Sequence, residues 1–208
     1  MIWFGSALWP SLILCTILYV LDYYLTIAGA RLYRAGARQI IIFEGSYELT
    51  PTFQADIDRL RWFSKRFAWA LIRLLSIMSL TWWLTRLTEI PQLFTVYLGL
   101  FVGLQLAIQR RHLQNIFLFR AMMKPGAVSG QISYSRLLIL KQSSFEMMVF
   151  GALFAALSLL TWNLFLLGGA FGCLLVAAKH AALAQKSQRS AAPAEDKTYP
   201  DLQPKELV

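Results

Sequence analysis

Residues Pro91 to Gln109 read PQLFTVYLGLFVGLQLAIQ and contain no charged side chain. As an α-helix this stretch would be about 28 Å long, because each helical residue adds about 1.5 Å. A bilayer has a hydrocarbon core of about 30 Å, which roughly 20 apolar residues cross as a helix. The stretch therefore predicts a transmembrane helix.

Apolar stretches of similar character occur on both sides of it. Two of them precede it in the chain: the first contains one charged residue, Asp22, and the second contains one, Arg73. The last apolar block, residues 144–178, would be about 50 Å long as one helix, which exceeds the bilayer. Thr161 and Asn163 are polar and lie near its middle, so we expect a tight turn there. The predicted spans are residues 8–29, 67–85, 91–109, 144–161 and 164–180.

The composition excludes an ordinary soluble domain. The chain of 208 residues is 57% hydrophobic and 15% charged, whereas soluble domains average about 25% charged residues. Its net charge of +9 does not predict nucleic-acid binding, because the basic residues are dispersed between apolar blocks and form no soluble basic module. We predict an all-α integral membrane protein with five transmembrane helices in a domain of residues 1–186, followed by a disordered cytoplasmic tail, residues 187–208.

The basic residues also predict the orientation. Loops 31–66 and 110–143, together with the C-terminal flank, hold eighteen of the twenty Lys and Arg residues, and the opposite side holds only Arg86. Cytoplasmic loops are rich in Lys and Arg, so we expect the N-terminus outside and the C-terminus in the cytoplasm. We further expect a bacterial plasma membrane, with anionic inner-leaflet headgroups against the basic loops.

The first cytoplasmic loop contains FEGSYELTP, residues 43–51. Thr50 and Pro51 have the residue types that begin a helix, which predicts an interfacial helix leading into the second span. The loop also contains four carboxylates. Carboxylates are hard oxygen ligands for divalent cations, but the spacing of these four fits no calcium-loop motif. We therefore interpret them as solvated charges beside the basic residues, with a shared cation as the alternative. They are Glu44, Glu48, Asp56 and Asp58.

Two charges fall inside predicted spans. Asp22 and Arg73 lie at similar depth, about 13 Å and 10 Å from the inner interface at helical rise. An ionisable side chain in a bilayer costs about 2.5–3.5 kcal/mol, so it usually faces a partner or a cavity. We predict a polar cluster around an Asp22–Arg73 pair, and keep snorkelling of Arg73 and a transport role as alternatives. Its other members would be Thr26, Gln105 and Glu146.

Small residues at four-residue spacing predict close helix packing, within the chain or with another subunit. These are Gly99, Gly103, Gly168 and Gly172. Neither cysteine is part of a Cys/His motif, and His112 and His180 both lie beside inner interfaces, so no metal site is expected. Motifs for nucleotide binding and for a serine nucleophile elbow are also missing. No catalytic residue and no cofactor are predicted.

These observations favour a non-enzymatic accessory, scaffold or assembly subunit of a membrane complex, with a protein partner or a second copy of the chain. The alternative is a carrier or channel that uses the Asp22/Arg73 cluster. A third hypothesis is a lipid-directed intramembrane enzyme, which lacks any complete motif in the sequence.

Overall fold

The structure, a computed structural model, describes residues 7–44 and 51–191. Within these ranges the chain forms six α-helices and two three-residue strands. In chain order the elements are α1 (Leu8–Ala35), a 3₁₀ turn (Ala37–Gln39), β1 (Ile41–Phe43), α2 (Pro51–Asp58), α3 (Lys65–Leu87), α4 (Pro91–Met122), β2 (Ile132–Tyr134), α5 (Arg136–Thr161) and α6 (Leu164–Ala191).

Five of these helices, α1, α3, α4, α5 and α6, are long and apolar enough to cross a membrane. Their number and order agree with the five predicted spans. Several continue beyond the predicted spans: α4 reaches Met122, and α5 already begins at Arg136. The final helix continues to Ala191, so residues 187–191 are helical rather than part of a disordered tail. Residues 192–208 lie outside the described ranges.

The turn in the last apolar block lies where the sequence predicts it. Helix α5 ends at Thr161, Trp162 has a left-handed backbone with φ of 51°, and α6 begins at Leu164. The side-chain oxygen of Asn163 accepts hydrogen bonds from the backbone N–H of Phe165 at 2.9 Å and of Leu166 at 3.4 Å. Asn163 thus satisfies N–H groups that the first turn of a helix leaves unpaired.

The helices form two groups joined mainly by the contact between α4 and α6. Helix α4 packs against α1 and α3, and these three helices also contact one another. Helix α6 packs against α5, and the contact between α4 and α6 joins this pair to the first group. Because α4 and α5 touch only weakly, the two groups diverge and leave room for a cavity between them.

The two strands pair in parallel and were not predicted. Ile41 lies opposite Ile132, and Phe43 lies opposite Tyr134. Strands this short have no clear periodic signal, and their pairing joins segments about ninety residues apart. The pair connects the segment after α1 to the segment before α5, and Ile41, Phe43 and Tyr134 also line the cavity.

Helix α2 begins at Pro51, the residue predicted to start it, and its location at a membrane surface stays a prediction. The next helix is capped by Ser64, whose hydroxyl accepts from the N–H groups of Arg66 and Phe67. Asp56 on α2 is buried and accepts a hydrogen bond from the Ser64 hydroxyl at 2.5 Å and from Arg61 at 3.2 Å. The carboxylate of Asp56 therefore fixes the turn between α2 and α3.

Candidate functional site

A cavity of about 330 Å³ lies between the two helix groups. All six α-helices and both strands of the described ranges contribute to its lining. Part of the lining is apolar and aromatic, including Tyr19, Phe53, Ile57, Phe67 and Met147. The rest is polar or charged: Asp22, Thr26, Arg111, His112, Gln114, Asn115, Gln142, Ser143, Glu146, Lys179 and His180.

One polar wall joins α1 to α4 through a histidine. Nε2 of His112 lies 3.1 Å from Oδ1 of Asp22 and 3.2 Å from the hydroxyl oxygen of Thr26. The Thr26 hydroxyl donates to the backbone oxygen of Asp22 at 2.9 Å, so Nε2 must be the donor toward Thr26. Within the described residues, Nδ1 of His112 is buried without a hydrogen-bond partner.

Asp22 and His112 are close enough for an ion pair, but their geometry does not form a hydrogen bond. Oδ1 of Asp22 is buried and finds no donor of suitable geometry in the part of the chain described, despite the 3.1 Å separation. The shared Nε2–H cannot point at both Thr26 and Asp22. This wall therefore keeps one carboxylate oxygen and one imidazole nitrogen with unused hydrogen-bonding capacity.

The predicted pair of Asp22 and Arg73 does not form. Asp22 lies within 4 Å of His112, whereas Arg73 is exposed on α3 and has no carboxylate within 4 Å among the described residues. Depth along a helix follows from its rise per residue, but the direction of a side chain around the helix axis depends on which helix packs beside it. The face of α1 that carries Asp22 meets α4 instead of α3.

Other members of the predicted cluster are divided between two places. Thr26 and Glu146 line the cavity with Asp22, although Glu146 lies on the opposite group of helices. Gln105 lies outside the lining, buried on α4, and its Oε1 has no partner within the described residues. Gln109, one turn further along α4, donates to the backbone oxygen of Leu18 at 2.9 Å.

The second polar wall joins α4, α5 and α6 around Ser143. The guanidinium of Arg111 donates to the Ser143 hydroxyl oxygen. The same oxygen lies 2.8 Å from Nδ1 of His180. The neighbouring Ser144 hydroxyl donates to the backbone oxygen of Ala177 at 2.8 Å and so joins α5 to α6 beside this group.

The predicted cluster did not include three residues of these walls, His112, His180 and Ser143. Both histidines were expected only to lie beside the inner interface, whereas His112 is buried, with 8% of its surface exposed. Helical spacing offered a signal, because His112 follows Gln105 by seven residues and Gln109 by three and so shares their face. No spacing rule links His180 to Ser143, since these residues lie on different helices.

The carboxylates of the first loop do not gather around one point. Glu44 follows β1 and accepts from the backbone N–H of Arg136, and Asp56 on α2 accepts from the Ser64 hydroxyl at the start of α3. Asp58 is exposed at the end of α2, and Glu48 lies outside the described residues. In the ranges 7–44 and 51–191, no three His, Cys, Asp or Glu side chains are close enough to hold a metal ion together.

The four predicted packing glycines lie at one contact within the chain. A Cβ added to Gly99 would lie 1.9 Å from the backbone oxygen of Phe165, and one added to Gly168 would lie 1.9 Å from that of Val96. At Gly103 and Gly172 it would also come within 2.6 Å of backbone atoms of the facing helix. The backbones of α4 and α6 therefore touch, and this contact joins the two groups of helices that flank the cavity.

No protein-family model matches the chain, and no curated protein or solved structure is significantly similar to it.

Proposed function

We propose that the chain is an integral membrane carrier that binds a small amphipathic molecule, with the polar headgroup of that molecule in the cavity. The observation that supports this function is the mixed lining of a 330 Å³ cavity inside a bundle of apolar helices. Small-molecule sites commonly measure about 300–1,000 Å³ and combine apolar walls with a few polar groups. The expected ligand therefore has an apolar part and a polar headgroup.

The charges of the lining support an anionic or zwitterionic headgroup. Arg111 and Lys179 line the cavity and have no carboxylate within 4 Å in the described ranges. Glu146 likewise has no cation within 4 Å there. Unpaired charges are expensive among apolar helices, so a headgroup that supplies a phosphate or carboxylate would offset the cost at Arg111.

Native mass spectrometry of the protein released from lipid nanodiscs tests this function. The nanodiscs should contain zwitterionic and anionic phospholipids in equal amounts. We expect a stoichiometric phospholipid on the wild-type chain and at least a tenfold lower occupancy in Arg111→Ala. Arg110→Ala is the matched control, because Arg110 lies over the ring of Phe150 at 5.9 Å and does not line the cavity.

Transport is measured separately, as transfer of a fluorescent phospholipid between leaflets of proteoliposomes. The carrier proposal expects faster transfer with wild type and with Arg110→Ala than with Arg111→Ala or empty vesicles. Equal retention of lipid by both arginine variants would contradict the binding site. If the chain retained lipid but did not transfer it between leaflets, it would be a lipid-binding protein and the carrier function would be wrong.

The accessory or scaffold role stays a prediction. Apolar side chains are exposed on all five long helices, and contact with lipid explains them as well as contact with a partner does. Purification in a mild detergent with a stoichiometric second protein would favour that role over the carrier.

A further inference from the structure

We propose that Ser143 and His180 are a nucleophile and general base that cleave a carboxylic ester of an amphipathic molecule in the cavity. The Ser143 hydroxyl oxygen lies 2.8 Å from Nδ1 of His180, within the 2.6–3.2 Å range of nucleophile–base pairs. Both residues line the cavity, where 3% of the Ser143 surface is exposed, and the proposal requires that an ester bound there contacts this hydroxyl. This activity rests on the proposed function in so far as the ester belongs to the ligand of the cavity.

The contacts of the Ser143 hydroxyl are compatible with its activation by His180. A guanidinium has donors only, so Arg111 uses the Ser143 oxygen as an acceptor. In the tautomer that carries the imidazole proton on Nε2, Nδ1 of His180 accepts the hydroxyl hydrogen of Ser143, and the proposal requires this tautomer. A positive donor on the oxygen and a base on its hydrogen both favour formation of the alkoxide.

Two nearby hydroxyl groups lack this arrangement. Thr26 also contacts a histidine, but its hydrogen goes to the backbone oxygen of Asp22. Ser144, next in the chain, gives its hydrogen to the backbone oxygen of Ala177 and does not line the cavity. Among these three residues, only Ser143 combines a histidine acceptor with a cationic donor.

The reaction needs only water besides the ester. The Ser143 oxygen attacks the carbonyl carbon while its proton moves to Nδ1 of His180, and Arg111 stabilises the negative charge on the carbonyl oxygen. The carbon–oxygen bond to the alcohol then breaks, and the alcohol takes the proton from His180. Water next attacks the acyl–serine ester, again through His180, and releases the carboxylic acid and free Ser143.

The same contacts would also join α4, α5 and α6 if their role were only structural. Chemical labelling separates the two roles, because a structural hydroxyl does not become a nucleophile. A fluorophosphonate probe forms a phosphorus–oxygen bond with an activated serine and releases fluoride, and its small reactive group does not depend on tight binding of a lipid headgroup.

The experiment is fluorophosphonate labelling of the full chain in mild detergent, with the adduct located by peptide mass spectrometry. We expect the adduct on Ser143, no label in Ser143→Ala, and about 100-fold slower labelling in His180→Gln, a typical effect of losing a general base. Ser144→Ala is the matched control and should label at the wild-type rate. Size-exclusion profiles show whether each variant is folded.

A wild-type chain that stays unlabelled, or a label that maps to another residue, would overturn the proposal even if a variant fails to fold. Equal labelling rates in a folded His180→Gln variant would overturn it as well. Because lipid retention in nanodiscs is measured without the probe, unlabelled protein that still binds lipid contradicts the ester cleavage alone. Labelled protein that retains no lipid contradicts the carrier alone.

Discussion

Oδ1 of Asp22 lies 3.1 Å from Nε2 of His112, across the contact between α1 and α4. One turn back, Gln109 on α4 donates to the backbone oxygen of Leu18 on α1. Both contacts advance in the same direction along the two helices, so α1 and α4 run parallel. Asp22, which was predicted to pair with Arg73 on α3, thus contacts a histidine on α4.

The Asp22–His112 contact predicts energetic coupling. We expect Asp22→Asn and His112→Gln to be non-additive by about 1 kcal/mol in the free energy of unfolding, within the 0.5–3 kcal/mol range of residues in contact. Denaturant unfolding of the single and double variants in detergent measures this coupling. The comparison cycle of Asp22→Asn with Arg73→Leu should be additive within about 0.5 kcal/mol. If only the cycle of Asp22→Asn with Arg73→Leu showed coupling, Asp22 would interact with Arg73 and not with His112.

The glycine contact predicts opposite outcomes at two adjacent residues. Gly168→Ala places a Cβ 1.9 Å from a backbone oxygen of α4 and should cost more than about 3 kcal/mol, since helices must separate. In Gly169→Ala the nearest atom is a ring carbon of Phe154 at 3.4 Å, so we expect a change below about 1 kcal/mol. The folded yield and the melting temperature of both variants measure the difference, and equal losses would argue against this packing.

The two buried glutamines of α4 predict a second pair of opposite effects. Gln105→Leu removes an unpartnered amide oxygen and should leave stability unchanged or raise it. Gln109→Leu removes the hydrogen bond to Leu18 and should cost about 1 kcal/mol. Thermal unfolding in one detergent compares the variants. A larger loss at Gln105 than at Gln109 would mean that its amide has a partner, such as a ligand.

The distribution of basic residues predicts the threading of the chain. Five crossings would place the termini on opposite sides, and the Lys and Arg bias predicts a cytoplasmic C-terminus. Reporters active in only one compartment, fused in turn to each end, should therefore give opposite signals. The same reporters fused at the turn of residues 88–90 and at residue 126 should also give opposite signals. Identical signals from both termini would rule out five crossings.

Local sequence was sufficient for the helices. Apolar runs of about 20 residues, each with at most one charged residue, predicted five long helices in the correct order, because a helix satisfies its own backbone hydrogen bonds and needs no distant partner. The turn at Asn163 and the start of α2 at Pro51 were predicted for the same reason, since capping depends on neighbouring residues. The helical extension to Ala191 was missed because its polar residues resemble those of a tail.

The tertiary structure decided the site. The rise per residue placed Asp22 and Arg73 at one depth, but only the packing of α1 on α4 determined that Asp22 meets His112. In the same way, Ser143 and His180 meet because α5 and α6 pack side by side, and the parallel strand pair depends on segments far apart in the chain. Helical spacing relates residues on one element, whereas contacts between elements depend on the rotation and separation of packed helices, which no local pattern encodes.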